Sequence, residues 1–268
     1  MSEGDKLFAG SIPVLYDQLL VPLIFQSYAE DLAERAASMN PGAVLEVAAG
    51  TGAVTRELAP RLGPDRRYVV TDLNAPMLER AKARLPDAPG ITWQVADALA
   101  LPFPERDFDL VLCQFGVMFF PDRVAGYREA LRVLRPEGRY LFNCWDSLAR
   151  NAFADCVHRA TAALFPDDPP RFFERTPHGY HDPDRIRSDL RAAGFGPVTI
   201  EPREAEATAA TAGLVATAYC EGTPLRGEIE ARGALEEVTG EVARAIGREF
   251  GPGPVSGEIR ALVVTAAA

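Results

Sequence analysis

Lysine is almost missing from this chain: Lys6 and Lys82 are the only two among 28 basic residues, and all the others are arginine. That scarcity removes a set of chemistries at once. There is no GxxxxGK[ST] phosphate loop, no lysine suited to a Schiff base, and no YxxxK oxidoreductase pair. Cysteine is scarce too. Cys113, Cys144, Cys156 and Cys220 show no CxxC and no paired spacing, which argues against a disulfide framework or a zinc site and fits reduced, buried thiols. Long apolar runs are also lacking. The longest apolar-leaning stretch, Ala207–Cys220, carries three threonines and falls short of the roughly 18 residues that span a bilayer. The N-terminal MSEGDKL is polar and acidic, unlike a secretory leader. Positive charge is in deficit, 28 basic against 38 acidic residues for a net −10, a balance that repels a phosphate backbone. The expectations are a cytoplasmic location, a small-molecule substrate, no nucleic acid, no membrane insertion, no metal, and a monomer or homodimer.

What is present is ordinary globular material, with 268 residues at 47% hydrophobic and 25% charged content. That length accommodates one enlarged domain or a domain plus a cap. From Ala43 to Trp145 short apolar runs alternate with amphipathic stretches, the pattern of strands joined by crossover helices into a parallel sheet. Strands are predicted at Ala43–Ala48, Arg67–Asp72, Ile91–Ala96, Phe108–Gln114 and Gly138–Trp145, with helices at Ala53–Arg61, Ala75–Leu85 and Arg123–Leu134. Ahead of this core, Val14–Met39 reads as helical, punctuated by Pro13 and Pro22. After it, Asn151–Leu164 reads as a helix, Phe165–Asp184 as a long loop closing over a ligand, Asp184–Ala193 as a helix, and Pro197–Arg203 as a strand. Ala207–Phe250 is mostly helical in pattern, and Glu258–Ala266 is a final strand. The expected fold class is α/β, a doubly wound, Rossmann-like, seven-stranded mostly parallel sheet with helical cap insertions. Its division is 1–40 as an N-terminal cap segment, 41–146 as the binding core, 147–182 as a lid, 183–206 as core, 207–254 as a second cap insertion and 255–268 as the last core strand.

The chemistry concentrates at Val44–Gly52 (VLEVAAGTG), a buried strand running into a glycine turn before a helix. Such a turn needs residues that let the backbone bend tightly and approach a ligand. Asp72 closes the second strand 20 residues after Gly52, at a strand tip where a carboxylate can accept from both hydroxyls of a ribose. A pyrophosphate site is disfavoured, because the third glycine of GxGxxG is replaced by Thr55. A nucleoside ligand without phosphate, S-adenosylmethionine, fits better.

With VLEVAAGTG come Val69–Leu78 (VVTDLNAPML), Ala96–Pro104 (ADALALPFP), Phe108–Gly116 (FDLVLCQFG) and Leu131–Gly138 (LRVLRPEG), in order and at consistent spacing. Together they resemble the class I SAM-dependent methyltransferases, in the group related to the ubiquinone/menaquinone-biosynthesis enzymes (methyltransferase type 11). The resemblance covers about Ala43 to Trp145. It departs from the usual pattern at Ala48, where glycine is common. It implies that Gly50, Gly52 and Ala48 border the methionine arm with Glu46 near its ammonium, and that Asp72 holds the ribose. Met77, or Leu73 at the strand tip, would lie against adenine, and Asp97 would accept from the adenine amino group with the Ala98 N–H beside it. Gln114 and Phe115 would border the sulfonium, and Tyr16 of the Tyr16-Asp17 pair would lie over the cofactor. Taken singly, Asp72 also reads as a helix cap, Asp97 as a turn acid, and Met77 and Phe115 as core. A buried Glu46 without a partner would be costly, which favours a cationic ligand group beside it.

The implied activity is S-adenosylmethionine-dependent methyl transfer to a small apolar or aromatic metabolite at O, N or C, with S-adenosylhomocysteine as product, in a secondary-metabolism setting. A non-catalytic SAM-binding sensor or assembly protein is the alternative. An NAD-dependent oxidoreductase is disfavoured by Thr55 and the absent YxxxK pair. His178 and His181 are the candidate bases, since a neutral imidazole accepts protons near neutral pH, though histidines in a loop also serve as solvated or capping residues. With Asp182 they have no distinctive metal spacing. Phe119, Phe120, Phe165, Phe172, Phe173 and Tyr180 point to an apolar substrate pocket, a reading that an Arg-lined cavity would overturn.

Overall fold

The computed structural model describes residues 12–63, 65–85, 90–251 and 253–268. Seven strands form one sheet: β1 (Ala43–Glu46), β2 (Arg67–Asp72), β3 (Ile91–Val95), β4 (Phe108–Gln114), β5 (Leu134–Trp145), β6 (Val198–Ala209) and β7 (Val255–Ala267). Their order is β3-β2-β1-β4-β5-β7-β6. The first five run parallel, and β7 inserts antiparallel between β5 and β6. The strands β1 and β4 are buried almost throughout, as expected of central parallel strands covered on both faces. The chain reverses winding direction between β1 and β4, and the carboxyl ends of strands at such a switch point open a crevice.

Helices α1 (Ile12–Leu15) and α2 (Gln26–Ser38) flank a continuous turn of helix over Tyr16–Phe25. That stretch has wider, π-type turns, and the Gln26 N–H reaches back to the Val21 carbonyl instead of that of Pro22. Pro22 lies within it, and a proline there removes one donor and disturbs the regular ladder. The sheet is covered by α3 (Ala53–Leu58), α4 (Ala75–Arg84) and α5 (Arg123–Val133). Beyond β5 come α6 (Ala152–Leu164), α7 (Phe172–Arg175) and α8 (Pro183–Ala193), then α9 (Ala212–Glu221), α10 (Leu225–Glu230) and α11 (Leu235–Phe250). Caps fix several starts: Asp122 accepts the Ala125 N–H at 2.9 Å and Thr211 the Leu214 N–H at 3.2 Å.

Three expectations are corrected here. The segment Phe165–Asp184 is not loop throughout, because α7 interrupts it. The strand foreseen at Pro197–Arg203 continues to Ala209, where helix was expected, since every residue from Val198 to Ala209 has a register partner on β7. β5 starts at Leu134, ahead of Gly138, with an irregularity opposite Phe108 and Leu110. Among the described residues no helix is long and apolar enough to cross a membrane, and no cluster of three or more His, Cys, Asp or Glu could hold a metal ion. All four cysteines are free and buried.

Candidate functional site

At the carboxyl ends of β1, β2 and β4 lies an open cavity. Its floor depends on a compact turn after β1. Ala48 and Gly50 both adopt left-handed backbone, with φ of 53° and 58°. For Ala48 this conformation is strained by roughly 1–2 kcal/mol, and its methyl is accommodated by a neighbour. A Cβ built on Gly116 would lie 2.5 Å from the Ala48 Cβ and 2.6 Å from Cys113 Sγ, so the glycine at 116 leaves the room that alanine at 48 occupies. Phe115, also left-handed at φ 49°, is held there by the Asn143 side chain, whose Oδ1 accepts its N–H at 2.9 Å.

Asp72 is buried at the tip of β2, where Oδ2 accepts the Gly50 N–H at 2.8 Å and Oδ1 the Asn74 N–H at 2.7 Å. Burial pushes its pKa above the ordinary carboxylate value, and these N–H bonds oppose the rise. A carboxylate has about four lone-pair positions, so these two strong bonds leave capacity toward the cavity that Asp72 lines. Asp97 lines the same cavity and accepts the Leu99 N–H at 2.9 Å. The Gln114 Oε1 is buried with no hydrogen-bond partner among the described residues, and its side chain lines the cavity. An orphaned acceptor of this kind calls for a ligand donor or positive centre. Tyr16, Ala48, Gly50, Asp72, Leu73, Met77, Asp97, Ala98, Gln114 and Phe115 thus gather around one space. Burial, with Asp72 nearby, pushes the Tyr16 hydroxyl pKa upward.

Two expected contacts lie elsewhere. Glu46 does not line the cavity; its carboxylate accepts from Thr55 Oγ1 at 2.8 Å and from the Tyr68 hydroxyl. The premise that this buried acid needs a cationic ligand fails, because the residue in the third glycine's place supplies one partner and β2 the other. Burial, partly offset by those two bonds, raises the Glu46 pKa to about 7. Gly52 likewise lines neither cavity. With φ 76° it caps α3, and a Cβ there would stand 2.9 Å from the Ala81 Cβ, so it permits α4 to pack closely. Asp17, beside Tyr16, is buried under Arg80 at 2.9 Å and Arg84 at 3.4 Å, both from α4. It fastens the N-terminal helix to α4.

A second cavity adjoins the first and shares Tyr16, Phe115 and Phe119 with it. Its lining comes from distant segments: Leu20, Ile24 and Phe25 of the N-terminal helix, Trp145 at the end of β5, Phe172, Phe173, Pro177 and His178, and Tyr219, Thr223 and Pro224. Phe115 stacks on Trp145 at 4.0 Å with an interplanar angle of 16°, and Tyr28 meets both rings edge-on at 5.4 Å. Of the aromatics proposed for a substrate pocket, Phe119, Phe172 and Phe173 line this cavity and Phe120 lines the first. Phe165 and Tyr180 line neither, and the Tyr180 hydroxyl sits between Tyr127 at 3.2 Å and Asp189 at 3.0 Å. Among the described residues no arginine appears in the lining. The two histidines separate: His178 is buried in the wall, while His181 is exposed, its Nδ1 2.7 Å from the His178 carbonyl. The sequence reading missed Trp145, the N-terminal apolar residues and the Tyr219–Pro224 turn. Apolarity was the only signal these residues carried, and core residues carry it too.

A family model described as a methyltransferase domain matches residues 44–138. Over 168 residues the chain is 29% identical to the ubiquinone/menaquinone biosynthesis C-methyltransferase UbiE of Pseudomonas aeruginosa (strain LESB58), a match covering 58% of this chain and 66% of that one. Among solved structures, a Bacillus halodurans C-125 protein has a TM-score of 0.61 at 20% identity, covering 90% of this chain and 98% of that one. The Haemonchus contortus phosphoethanolamine N-methyltransferase 2, in complex with phosphomonomethylethanolamine and S-adenosylhomocysteine, has a TM-score of 0.59 at 16% identity, covering 96% of this chain and 56% of that one. At such identities these structures speak for the fold alone. From the matched domain, the sequence likeness and the sheet order, residues 44–138 are a methyltransferase domain, and the chain resembles the class I SAM-dependent methyltransferases of the UbiE-like type.

Proposed function

We propose that this protein transfers a methyl group from S-adenosylmethionine to a small, apolar or aromatic acceptor. The observation that carries the reading is the pair of adjoining cavities with Tyr16, Phe115 and Phe119 as their common wall. In this reading the cavity with the buried carboxylate and the orphaned amide oxygen takes the cofactor, and the aromatic cavity takes the acceptor. Asp72 would receive the ribose hydroxyls, Asp97 and Ala98 the adenine edge, and Gln114 the region of the positive centre. The bound cofactor supplies an electrophilic methyl on a sulfonium.

The chain's own work is to orient the acceptor and keep water out, which is most of what a displacement with dispersing positive charge requires. The aromatic enclosure of Phe25, Phe115, Trp145, Phe172 and Phe173 serves the second task. Of the two predicted bases only His178 lines the acceptor cavity; burial weakens it as a base, so its role would be to accept a hydrogen bond from an acceptor O–H or N–H and orient it. Residues 41–146 would then be the cofactor-binding core, with the N-terminal helix, 147–182 and the part of 207–254 that lies past the end of β6 at Ala209 forming the cap around the acceptor.

Calorimetric titration with S-adenosylmethionine and S-adenosylhomocysteine tests this reading. Micromolar binding by the intact protein, weakened about a hundredfold by Asp72→Ala, a change of about 3 kcal/mol, is the expected result. Absence of binding by the intact protein overturns it.

A further inference from the structure

The acceptor cavity has a polarity pattern that narrows what it can take. Among the described residues, none that lines it carries a formal charge at neutral pH; its polar members are Tyr16, Asn151, His178, Tyr219 and Thr223. Two of these are engaged in holding the chain. Asn151 Oδ1 accepts the Arg260 N–H at 3.1 Å, and its Nδ2 donates to the Ser147 carbonyl at 3.1 Å. Thr223 Oγ1 donates to the Tyr219 carbonyl at 2.7 Å and accepts the Leu225 N–H at 3.2 Å.

His178 differs from them. Its Nδ1 lies 2.9 Å from the Asp146 carbonyl oxygen. A carbonyl only accepts, so Nδ1 carries the proton and the neutral ring presents the lone pair of Nε2 as an acceptor. The residue is 5% exposed. It lies 6.0 Å from the Trp145 ring and 6.5 Å from that of Phe173, two other walls of the cavity. Enclosure in apolar surroundings holds it neutral, lowering its pKa to about 4.

Resting on the methyltransferase reading of this site, we infer that His178 Nε2 is the specificity contact of the acceptor cavity, and that the acceptor is an uncharged molecule presenting a hydroxyl or neutral N–H to it. A charged acceptor would lose its hydration with no counter-charge among the described residues of the wall. An uncharged one lacking a donor would bury Nε2 unpaired, the situation in which sites discriminate most strongly.

Four probes of one size test this: 2-naphthol, 2-methoxynaphthalene, 2-naphthoate and 2-(aminomethyl)naphthalene. Each is titrated into the full chain, with and without S-adenosylhomocysteine, by calorimetry and by quenching of tryptophan emission. The expected result is that 2-naphthol binds at least tenfold more tightly than the other three. His178→Phe then brings naphthol down to the level of the methyl ether while leaving the ether unchanged, and His178→Gln, which keeps an acceptor, retains part of the preference. The inference is overturned if the ether or a charged probe equals naphthol, if no probe binds, or if His178→Phe weakens all probes alike, the mark of a merely structural role. Failure of the methyltransferase reading shows separately, as absent S-adenosylhomocysteine binding beside an intact preference for naphthol.

Discussion

The two cavities meet at Tyr16, Phe115 and Phe119 but are built in opposite ways. The first is made by strand tips and the turns that follow them, with backbone N–H groups and carboxylates fixed by short hydrogen bonds such as Gly50 to Asp72 at 2.8 Å. The second is made by side chains from the N-terminal helix, from the end of β5 and from the two excursions around α7 and α9, held by ring packing. A cavity framed by backbone is specified by local sequence, because each turn requires particular residues at fixed offsets. A cavity framed by packed rings requires only that apolar groups converge, and many sequences satisfy that.

Substitutions can separate the two halves. The largest effect is expected for Glu46→Gln, which probes whether this acid is ligand contact or framework. Because the folded pKa is raised to about 7, the group's contribution to stability is full below its ordinary value near 4.5 and is lost as pH rises through about 7. The variant should therefore be more stable than the parent at pH 8, by at most about 3 kcal/mol, with little difference near pH 4.5, as read by denaturant unfolding. Its S-adenosylhomocysteine affinity should stay within a few-fold; a hundredfold loss would put Glu46 back at the ligand. Next, Asp72→Ala should weaken S-adenosylhomocysteine about a hundredfold, roughly 3 kcal/mol, and leave 2-naphthol binding unchanged, since Asp72 lines only the first cavity.

Gly116→Ala should destabilise by about 2 kcal/mol through overpacking, given the 2.5 Å and 2.6 Å approaches at that position. Adding Ala48→Gly should recover about half of the loss in a double-mutant cycle, and strict additivity would refute the proposed pairing. Phe119→Ala, at the common wall, should weaken both S-adenosylhomocysteine and 2-naphthol several-fold, about 1 kcal/mol each, whereas a one-sided effect would break the idea of a shared boundary. The smallest effect concerns pH. Burial, His181 and His158 hold His178 down, while Asp146 acts the other way through its backbone carbonyl and its charge. Naphthol affinity should stay level from pH 8 to pH 5 and fall only toward pH 4; a midpoint near the ordinary histidine value of about 6.5 would show that the ring is solvated.

Much of the first half was legible in the residues. The strand Phe108–Gln114 stands where its apolar run places it, and Asp72 and Asp97 face one space because each follows a strand of the same parallel sheet. Glu46 was misread because its partners Thr55 and Tyr68 stand 9 and 22 positions away, on a helix and a neighbouring strand whose approach only folding supplies. Past Arg203 the chain runs Glu-Ala-Glu-Ala-Thr-Ala, weak in strand formers, and it is extended because β7 pairs with it throughout. The π-type turns around Pro22 left no sign beyond the proline itself. The aromatic cavity was the least legible part, since Trp145, His178 and Tyr219 converge through tertiary packing alone.

The strands β6 and β7 are register partners up to Ala209 and Val255, and the whole of 210–254 departs and returns at that one pair. Closing a long excursion between two fixed points is a slowly growing entropic burden, about 0.6 kcal/mol for each doubling of its length. The sheet is therefore nearly indifferent to what hangs from this junction. A lineage could lengthen, shorten or replace the excursion, altering which molecules enter the aromatic chamber, while the strand tips stay as they are. In this architecture the shape of the aromatic chamber can drift without the rest of the fold having to be reinvented.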